Sequence, residues 1–243
     1  MTKGKESEGK KVCEKCGGAL YIPTEDGAVP CDCLPAALMK QRLRAANIPP
    51  RFQQKTIESF KGNDKKRKQL RTDAKVYVQG FPPQESKKGL LFMGTTGCGK
   101  THLAIGILKA TIEKGYTGYY CNVIDFFTRL RDTFRGDTEY DEMDMLDKIS
   151  KVDMLVLDDL GAEKSTDWVR DRIYAIVNAR YEQNLPVLVT TNKMDLAELE
   201  DHVGKRIVSR LCEMCLIRDQ FPDEDYRMKG LDLDPRVSEK SAN

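Results

Sequence analysis

Residues 94–101 read Gly-Thr-Thr-Gly-Cys-Gly-Lys-Thr, and they are the strongest indication of the fold in the sequence. Its spacing is G-x-x-x-x-G-K-[ST], in which the glycines let successive backbone N–H groups turn inward around phosphate. The apolar run 90–93 before it predicts a buried strand, and residues 99–113 after it predict a helix. A chance match in a Gly-rich loop is the alternative, but a strand before and a helix after are the context that the motif requires. The stretch therefore predicts a phosphate-binding loop in an α/β fold.

The loop supplies most of the expected nucleotide-binding residues. Lys100 should reach the β- and γ-phosphates of ATP, and the Thr101 hydroxyl should bind Mg²⁺. The N-terminus of the following helix adds partial positive charge beside the phosphates. The other positions expected to contact the nucleotide are Gly94, Thr95, Thr96, Gly97, Cys98, Gly99 and His102. Because the mechanism needs neither a thiol nor an imidazole here, Cys98 and His102 are expected to act only as spacers.

A second apolar run ends in two carboxylates. Residues 154–159 read Met-Leu-Val-Leu-Asp-Asp, about 60 residues after the loop. In P-loop enzymes such a strand lies parallel to the strand before the loop, and its carboxyl end opens on the same crevice. We expect Asp158 to hold Mg²⁺, through water, and Asp159 to orient or deprotonate the attacking water. An ordinary strand end with solvated acids is the alternative.

The next predicted strand, residues 187–191, is followed by Asn192. This position fits a side chain that bridges the γ-phosphate and the attacking water, which would make Asn192 part of the catalytic site. An exposed asparagine in a turn is the alternative.

Three arginines are candidates for contact with the γ-phosphate. Arg206 and Arg210 lie four residues apart, on one face of the helix predicted over residues 203–213. Arg210 is expected to act on the nucleotide of a neighbouring subunit, as an arginine finger. A surface pair on a basic helix is the alternative. Arg227 is a candidate for contact in cis with the nucleotide of its own chain.

Strands and helices alternate along the large domain. Strands are predicted over residues 90–93, 119–122, 154–157, 187–191 and 214–218. Helices are predicted over residues 99–113, 124–134, 141–149, 166–183 and 203–213. Alternating βα units of this length imply a three-layer α/β domain around a parallel sheet.

Four of the eight cysteines crowd into the first 33 residues. Cys13 and Cys16 form a C-x-x-C pair, followed by the glycines at 17 and 18, and Cys31 and Cys33 form a C-x-C pair. Four thiolates give a closed, tetrahedral zinc site, which is structural rather than catalytic. A unit of about 25 residues is too small to fold alone, so the metal would supply its stability. Redox-active thiols are the alternative.

Cys212 and Cys215 also have a ligand spacing. No second pair lies near them in the sequence, and they straddle a predicted helix–strand junction. We expect buried core thiols there.

Composition limits the class of protein. The 243 residues are 40% apolar and 32% charged, which suits one α/β domain with a small added module. No stretch approaches the roughly 20 apolar residues of a membrane span. The basic N-terminal residues have no apolar run behind them, so a cytoplasmic protein is expected. Disulfides are not expected in that compartment.

Charge is unevenly distributed. Residues 36–75 hold 12 Lys or Arg and 3 acids, a net charge of +9, so the rest of the chain carries −7 of the total of +2. Such a span could meet nucleic-acid phosphates or an acidic partner. A solvated linker is an equally weighted alternative.

The expected domain organisation follows from these patterns. It comprises a disordered tail (1–11), a four-cysteine zinc module with a short helix (12–46), a basic linker (47–75), the ATPase domain (76–230) and a flexible tail (231–243). Residues 51–75 are expected to form a charged connection.

The motifs resemble those of the DnaC/DnaI-type bacterial helicase loaders, which are AAA+ ATPases. The resemblance covers residues 12–230. The runs that carry it are LLFMGTTGCGKTHLAIGIL (90–108), LVLDDLGAEKSTDW (155–168), TTNK (190–193), KRIVSRL (205–211) and the joint NIPPRF (47–52) with TIESF (56–60). The four-cysteine module is similar to the helicase-binding zinc domain of the DnaI branch.

The resemblance implies a function. The family binds ATP and single-stranded DNA and places the ring-shaped replicative DNA helicase on the strand. The resemblance implies Walker A roles for Lys100 and Thr101 and Walker B roles for Asp158 and Asp159. Asn192 matches the first sensor, Arg210 the finger, and Arg227 falls near the second sensor.

Assembly and rate also follow from the family pattern. The resemblance implies self-association into a ring or spiral, with each ATP site completed by the neighbour's finger. Many AAA+ enzymes carry Glu at the position of Asp159, so a shorter Asp implies slow hydrolysis. The acidic segment around 137–147 has no assigned role.

Two other functions remain open. The same ATPase core serves IstB-like transposition helpers, whose N-terminus is expected to be helical and metal-free. A zinc-containing adaptor that uses ATP only as a conformational ligand belongs to a different class, and measured ATP turnover separates it from an ATPase.

Overall fold

The computed structural model describes residues 13–25, 27–62, 64–83, 89–133 and 142–228. The expected tails, 1–11 and 231–243, lie outside the described residues, as does the first part of the acidic segment.

The N-terminal module is a hairpin followed by a helix. Strands β1 (Tyr21–Thr24) and β2 (Gly27–Pro30) pair antiparallel, and α1 spans Leu34–Ala45. The hairpin lies between the two cysteine pairs in the sequence, so its pairing brings Cys31 back towards Leu20, whose carbonyl accepts the Cys31 N–H at 2.9 Å.

A five-stranded parallel sheet forms the centre of the large domain. Its strands are β3 (Gly89–Met93), β4 (Gly118–Asn122), β5 (Met154–Asp158), β6 (Val187–Thr191) and β7 (Cys215–Arg218). The spatial order is β4-β5-β6-β3-β7. The parallel sheet predicted from the sequence is therefore confirmed. The order inserts β6 between the strand that precedes the phosphate loop and the strand that ends in Asp158.

Helices cover both faces of this sheet. The helices are α2 (Lys65–Gln79), α3 (Lys100–Glu113), α4 (Val123–Thr133), α5 (Glu142–Lys151), α6 (Asp167–Glu182), α7 (Leu196–Val203) and α8 (Lys205–Met214). Successive strand residues point to opposite faces. Leu90 and Phe92 thus pack with α2 and α3, whereas Leu91 and Met93 pack with α4 to α8. This gives the three layers that the sequence predicted.

Residues 51–75, predicted as a charged connection, include the first part of a helix. Helix α2 begins within them, where the Asp64 carboxylate accepts the Arg67 N–H at 2.9 Å as an N-cap. Its buried face is narrow and carries Leu70, Ala74 and Val78 together with Arg67. Charged residues surround this apolar stripe in the sequence, which is why the pattern resembled a solvated linker.

The helix predicted over 203–213 corresponds to α8, and a further helix that the sequence did not predict, α7, directly precedes it. Gly204, with φ of 97° and ψ of 148°, ends α7 and precedes α8. The first of these has its own N-cap, in which Asp195 accepts the Glu198 N–H at 2.7 Å. Among the described helices, none is both long and apolar enough to cross a membrane.

Candidate nucleotide-binding site

The phosphate loop joins β3 to α3 and holds Lys100 in a buried position. Lys100 is 4% exposed, and its Nζ donates to the carbonyls of Gly94 and Thr95 at 2.8 and 2.7 Å. The same nitrogen donates to Asn192 Oδ1 at 2.8 Å. Burial lowers the pKa of Lys100, while the nearby Cys98 and Asp159 oppose that shift. The Lys100 ammonium group is thus held between the phosphate loop and Asn192, which follows strand β6.

Asp158 lies at the end of β5 within a cage of three hydroxyl groups. Its side chain is 2% exposed. Oδ1 accepts from Thr101 Oγ1 at 2.8 Å and from Thr190 Oγ1 at 2.7 Å, and Oδ2 accepts from Tyr120 Oη at 2.6 Å. The sequence motifs pointed to Thr101 but not to the other two. Thr190 lies near the end of β6, two residues before Asn192, whereas nothing in the local pattern distinguished Tyr120.

Asp159 adopts a left-handed backbone conformation, with φ of 60°. Its N–H donates to Thr190 Oγ1 at 3.0 Å, which fixes the turn after β5. Burial and the adjacent Asp158 raise the pKa of the Asp159 carboxyl, against the lowering effect of Lys100, Arg227 and a hydrogen bond from Asn192. A carboxyl with a raised pKa is a better proton acceptor near neutral pH than an ordinary aspartate.

A cleft of about 460 Å³ opens over the loop. The loop, Asp159 and Asn192 form its floor, and residues from the segment 51–61 form one wall. Gly106 of α3 permits this segment to pack closely, because a Cβ there would lie 2.7 Å from the backbone nitrogen of Ile57. The expected linker thus contributes directly to the site.

His102 anchors that wall. Its Nε2 lies 3.0 Å from both Ser59 Oγ and the Thr56 carbonyl oxygen, and its ring meets Phe60 edge-on with centroids 5.5 Å apart. The expectation of a mere spacer was wrong for His102, which holds the segment against α3. Cys98 is buried, with Sγ 3.7 Å from Lys100 Nζ.

The C-terminal segment forms the other wall. The Tyr226 N–H donates to the Gly97 carbonyl at 3.1 Å. Gly97 has φ of 77°, and a Cβ there would collide with the Asp225 carboxylate, so a side chain at this position would displace the segment. This packing brings Arg227 to the cleft, where its charge acts on Asp159.

Arg206 and Arg210 lie elsewhere, between α8 and α6. The Arg210 Nε donates to Asn178 Oδ1 at 2.9 Å and its Nη2 to Tyr174 Oη at 2.9 Å. Both guanidinium groups also stack on Tyr174, at 4.4 Å for Arg206 and 4.8 Å for Arg210. Neither lines the cleft of its own chain. Any action on a γ-phosphate would therefore be on another subunit's nucleotide.

The four N-terminal cysteines come together as the sequence predicted. Their sulfur atoms all lie within 4.8 Å of one another, with 3.8 Å between Cys13 and Cys31 and 3.5 Å between Cys16 and Cys33. A tetrahedron with metal–sulfur bonds of about 2.3 Å has edges of about 3.8 Å, so the arrangement fits zinc. Burial raises the pKa of Cys16, but hydrogen bonds from Cys33 and the backbone outweigh it and lower that pKa to about 7.

Within the described residues no other cluster of three or more potential ligands was found. Cys215 is buried and Cys212 packs half-buried against the same core, as expected for core thiols.

The loop is also suited to a nucleotide and Mg²⁺. Thr95 Oγ1 is buried and has no hydrogen-bond partner among the described residues, which leaves a donor in the loop for a phosphate oxygen. Thr101 and Asp158 supply the hydroxyl and carboxylate oxygens that Mg²⁺ prefers. The glycine loop follows β3, the Asp158 carboxylate ends β5 two strands away, and the Asn192 amide follows β6 between them. This arrangement defines a P-loop nucleotide-binding protein of the AAA+ class.

Residues 37–229 match the family model described as IstB-like ATP binding protein, and the chain belongs to this family. It is 26% identical over 176 residues to the replicative helicase loader DnaC of Escherichia coli strain K12, covering 72% of this chain and 70% of that protein.

Solved structures agree with the sequence match. A crystal structure of the DnaC helicase loader is similar with a TM-score of 0.62 and 30% identity, covering 70% of this chain and 98% of that one. A crystal structure of DnaI is similar with a TM-score of 0.60 and 28% identity, covering 70% and 93%.

Proposed function

We propose that this protein is an ATP-dependent loader of the replicative DNA helicase. The observation that carries the proposal is the convergence of Lys100, Asp159 and Asn192, which follow three adjacent strands, on one cleft. The similarity to DnaC and DnaI along most of the domain supports the choice of partner.

ATP binding follows from the loop. Backbone N–H groups of residues 94–101 and the start of α3 hold the phosphates, and Lys100 moves from its carbonyl partners to the β- and γ-phosphates. Thr101 and, through water, Asp158 would hold Mg²⁺, which would neutralise charge on the phosphates.

Hydrolysis uses the residues at the ends of β5 and β6. Asp159 accepts a proton from the attacking water, and Asn192 orients that water relative to the γ-phosphate. The products are ADP and inorganic phosphate. Arg227 reaches the phosphates of its own chain from the C-terminal wall. Because Asp159 has one methylene fewer than Glu, we infer that turnover is slow.

Single-stranded DNA binds through charge. Most of the cations in residues 36–75 lie at exposed positions of α1, α2 and the segment between them. Arg67 is an exception, since it is 4% exposed and bound to Asp64 and Glu224. Arg71 is another, since it donates to the Phe60 carbonyl at 2.8 Å. The exposed lysines at the start of α2 are the main candidates for phosphate contact.

The zinc module serves as the helicase-binding part. It holds Zn²⁺ through Cys13, Cys16, Cys31 and Cys33, and the metal fixes the fold of a hairpin that has little core of its own. Tyr21 and Val29 of this hairpin are exposed at 47% and 46%, which leaves apolar surface for a protein partner.

A second candidate is an IstB-like transposition helper, which the description of the family model favours. The four-cysteine cluster weighs against it, because that class is expected to have a helical, metal-free N-terminus. An adaptor that binds but does not hydrolyse ATP is separated from both by measured turnover.

The test is binding to the purified replicative helicase of the same genome, with ATP and Mg²⁺ present. We expect a stable complex that deposits the helicase on circular single-stranded DNA. Lys100→Ala should lose ATP binding and deposition, because it removes the cation that faces the phosphates. Lys164→Ala, an exposed lysine outside the cleft, is the control. The loader assignment fails if no complex forms in any nucleotide state.

A further inference from the structure

Tyr120 is the least expected member of the cage around Asp158. It lies on β4, the edge strand, and is 3% exposed. Its hydroxyl donates to Oδ2 of Asp158 at 2.6 Å, while the hydroxyls of Thr101 and Thr190 both donate to Oδ1. Without the Tyr120 hydroxyl, Oδ2 of the buried Asp158 carboxylate would lose this hydrogen-bond donor.

The tyrosine is itself fixed at its backbone. Its N–H donates to the Ala46 carbonyl at 2.8 Å, and its carbonyl accepts from Asn47 Nδ2 at 3.0 Å. The Phe52 ring lies beside its ring, with centroids 6.3 Å apart. The backbone N–H and carbonyl of Tyr120 are therefore both hydrogen-bonded, and its hydroxyl contacts Asp158, so the residue is a rigid support for that carboxylate.

The hydroxyl donates to Oδ2 of Asp158, so it restricts rotation of the carboxylate about its Cβ–Cγ bond. Asp158 must in turn present its remaining lone pairs in a fixed direction, because magnesium requires near-ideal octahedral geometry.

We propose that Tyr120 is a positioning residue that sets the carboxylate plane of Asp158 for Mg²⁺. The proposal rests on the proposed ATPase function of the cleft. Tyr120 does not touch the nucleotide site directly, since it is absent from the residues that line the cleft. Partners of a metal ligand in the outer shell commonly matter almost as much as the ligand itself.

The test compares Tyr120→Phe with Tyr119→Phe, the adjacent half-buried tyrosine whose ring packs under Lys148 Nζ at 5.1 Å. Affinity for a fluorescent ATP analogue is measured in Mg²⁺ and in EDTA, and the ratio gives the contribution of the metal. Tyr120→Phe should leave affinity in EDTA unchanged and reduce the Mg²⁺ contribution by about 10-fold. Turnover should fall by a similar factor at unchanged KM, and Tyr119→Phe should resemble wild type.

A double-mutant cycle separates positioning from a general loss of structure. In an Asp158→Asn background, Tyr120→Phe should cause no further loss of the Mg²⁺ contribution, because the two residues act as one unit. Additive losses would overturn the proposal, as would a Tyr120→Phe protein with wild-type magnesium dependence. If the wild-type protein does not bind the analogue, or Lys100→Ala binds it equally well, the proposed function itself fails.

Discussion

At the scale of single residues, the site depends on two adjacent carboxylates, Asp158 and Asp159, that lie in different environments. Asp158 is buried and accepts three hydroxyl hydrogen bonds, which fix the direction of its two oxygens. Asp159 is left with a raised pKa, because burial and the neighbouring Asp158 disfavour ionisation. The first carboxylate is therefore held in place, and the second can take up a proton.

Asp159→Asn should abolish hydrolysis while ATP still binds. Loss of a general base typically costs about 10²–10⁴ in rate. The raised pKa means that the ionised form is disfavoured in the folded protein, so the neutral amide should also raise the thermal midpoint. Single-turnover ATPase assays and thermal melts check both, with the exposed Asp171→Asn as the control.

The same pKa direction predicts a pH dependence. Asp159 must be ionised to accept a proton, so wild-type turnover should fall as pH drops through its pKa, above the ordinary aspartate value of about 3.9. A rate that stays flat down to that ordinary value would contradict the assignment of Asp159 as the base.

At the scale of elements, two segments outside the parallel sheet complete the site. Residues 51–61 and the C-terminal segment form opposite walls of the cleft. Helix α2 connects them, because Arg67 of this helix binds Glu224 and its guanidinium lies 5.8 Å from the Tyr226 ring centroid. The hairpin module depends instead on its cysteines.

Cys16→Ser should remove zinc without affecting ATP binding. The purified protein should carry about one zinc per chain, because four thiolates make one closed site. The substitution should unfold the hairpin, as followed by metal analysis and limited proteolysis, while nucleotide affinity stays at the wild-type value. Cys212→Ser, a half-buried thiol outside the cluster, should retain the metal. Freshly purified, reduced protein without zinc would rule out the site.

Binding of single-stranded DNA should weaken steeply with salt. Each phosphate contact contributes about 0.7 to the slope of log K against log salt. Lys65→Gln with Lys66→Gln should therefore lower the slope by about 1.4, measured by fluorescence anisotropy. The pair Lys164→Gln and Lys205→Gln, also exposed, serves as the control. Equal slopes for the two double variants would exclude α2 from the DNA contact.

At the scale of the whole molecule, the two candidate finger arginines lie outside the cleft of their own chain. The cleft is lined by Lys100, Asp159, Asn192 and Arg227, whereas Arg206 and Arg210 on α8 donate to Tyr174 of α6. We infer that assembly brings α8 of one subunit to the cleft of the next. Such a contact is head-to-tail, and repetition produces rings or open spirals rather than twofold dimers.

Arg210→Ala should bind ATP normally but lose most turnover. Arginine fingers contribute roughly 10³–10⁵ in rate in well-studied cases. Mixing this variant with Lys100→Ala should restore some activity, because one kind of mixed interface pairs an intact loop with an intact finger. Arg206→Ala is the matched comparison, since it stacks on the same tyrosine. If Arg206→Ala loses turnover and Arg210→Ala does not, the finger is Arg206. If no mixture with Lys100→Ala regains ATP turnover, the shared-site model is wrong.

From the sequence alone, short local patterns identified candidate residues of the site. The glycine spacing before Lys100, the apolar run ending at Asp158 and the cysteine pairs are such patterns, although the contacts of Asp158 and of the cysteines join residues 17 or more positions apart. Only the tertiary structure decided the strand order, which places Asn192 between the loop and Asp158 and brings Tyr120 to the same carboxylate. It also decided that residues 51–79 pack as part of the core. These contacts join residues tens of positions apart, and they follow from the burial of both faces of the sheet, which no local pattern records.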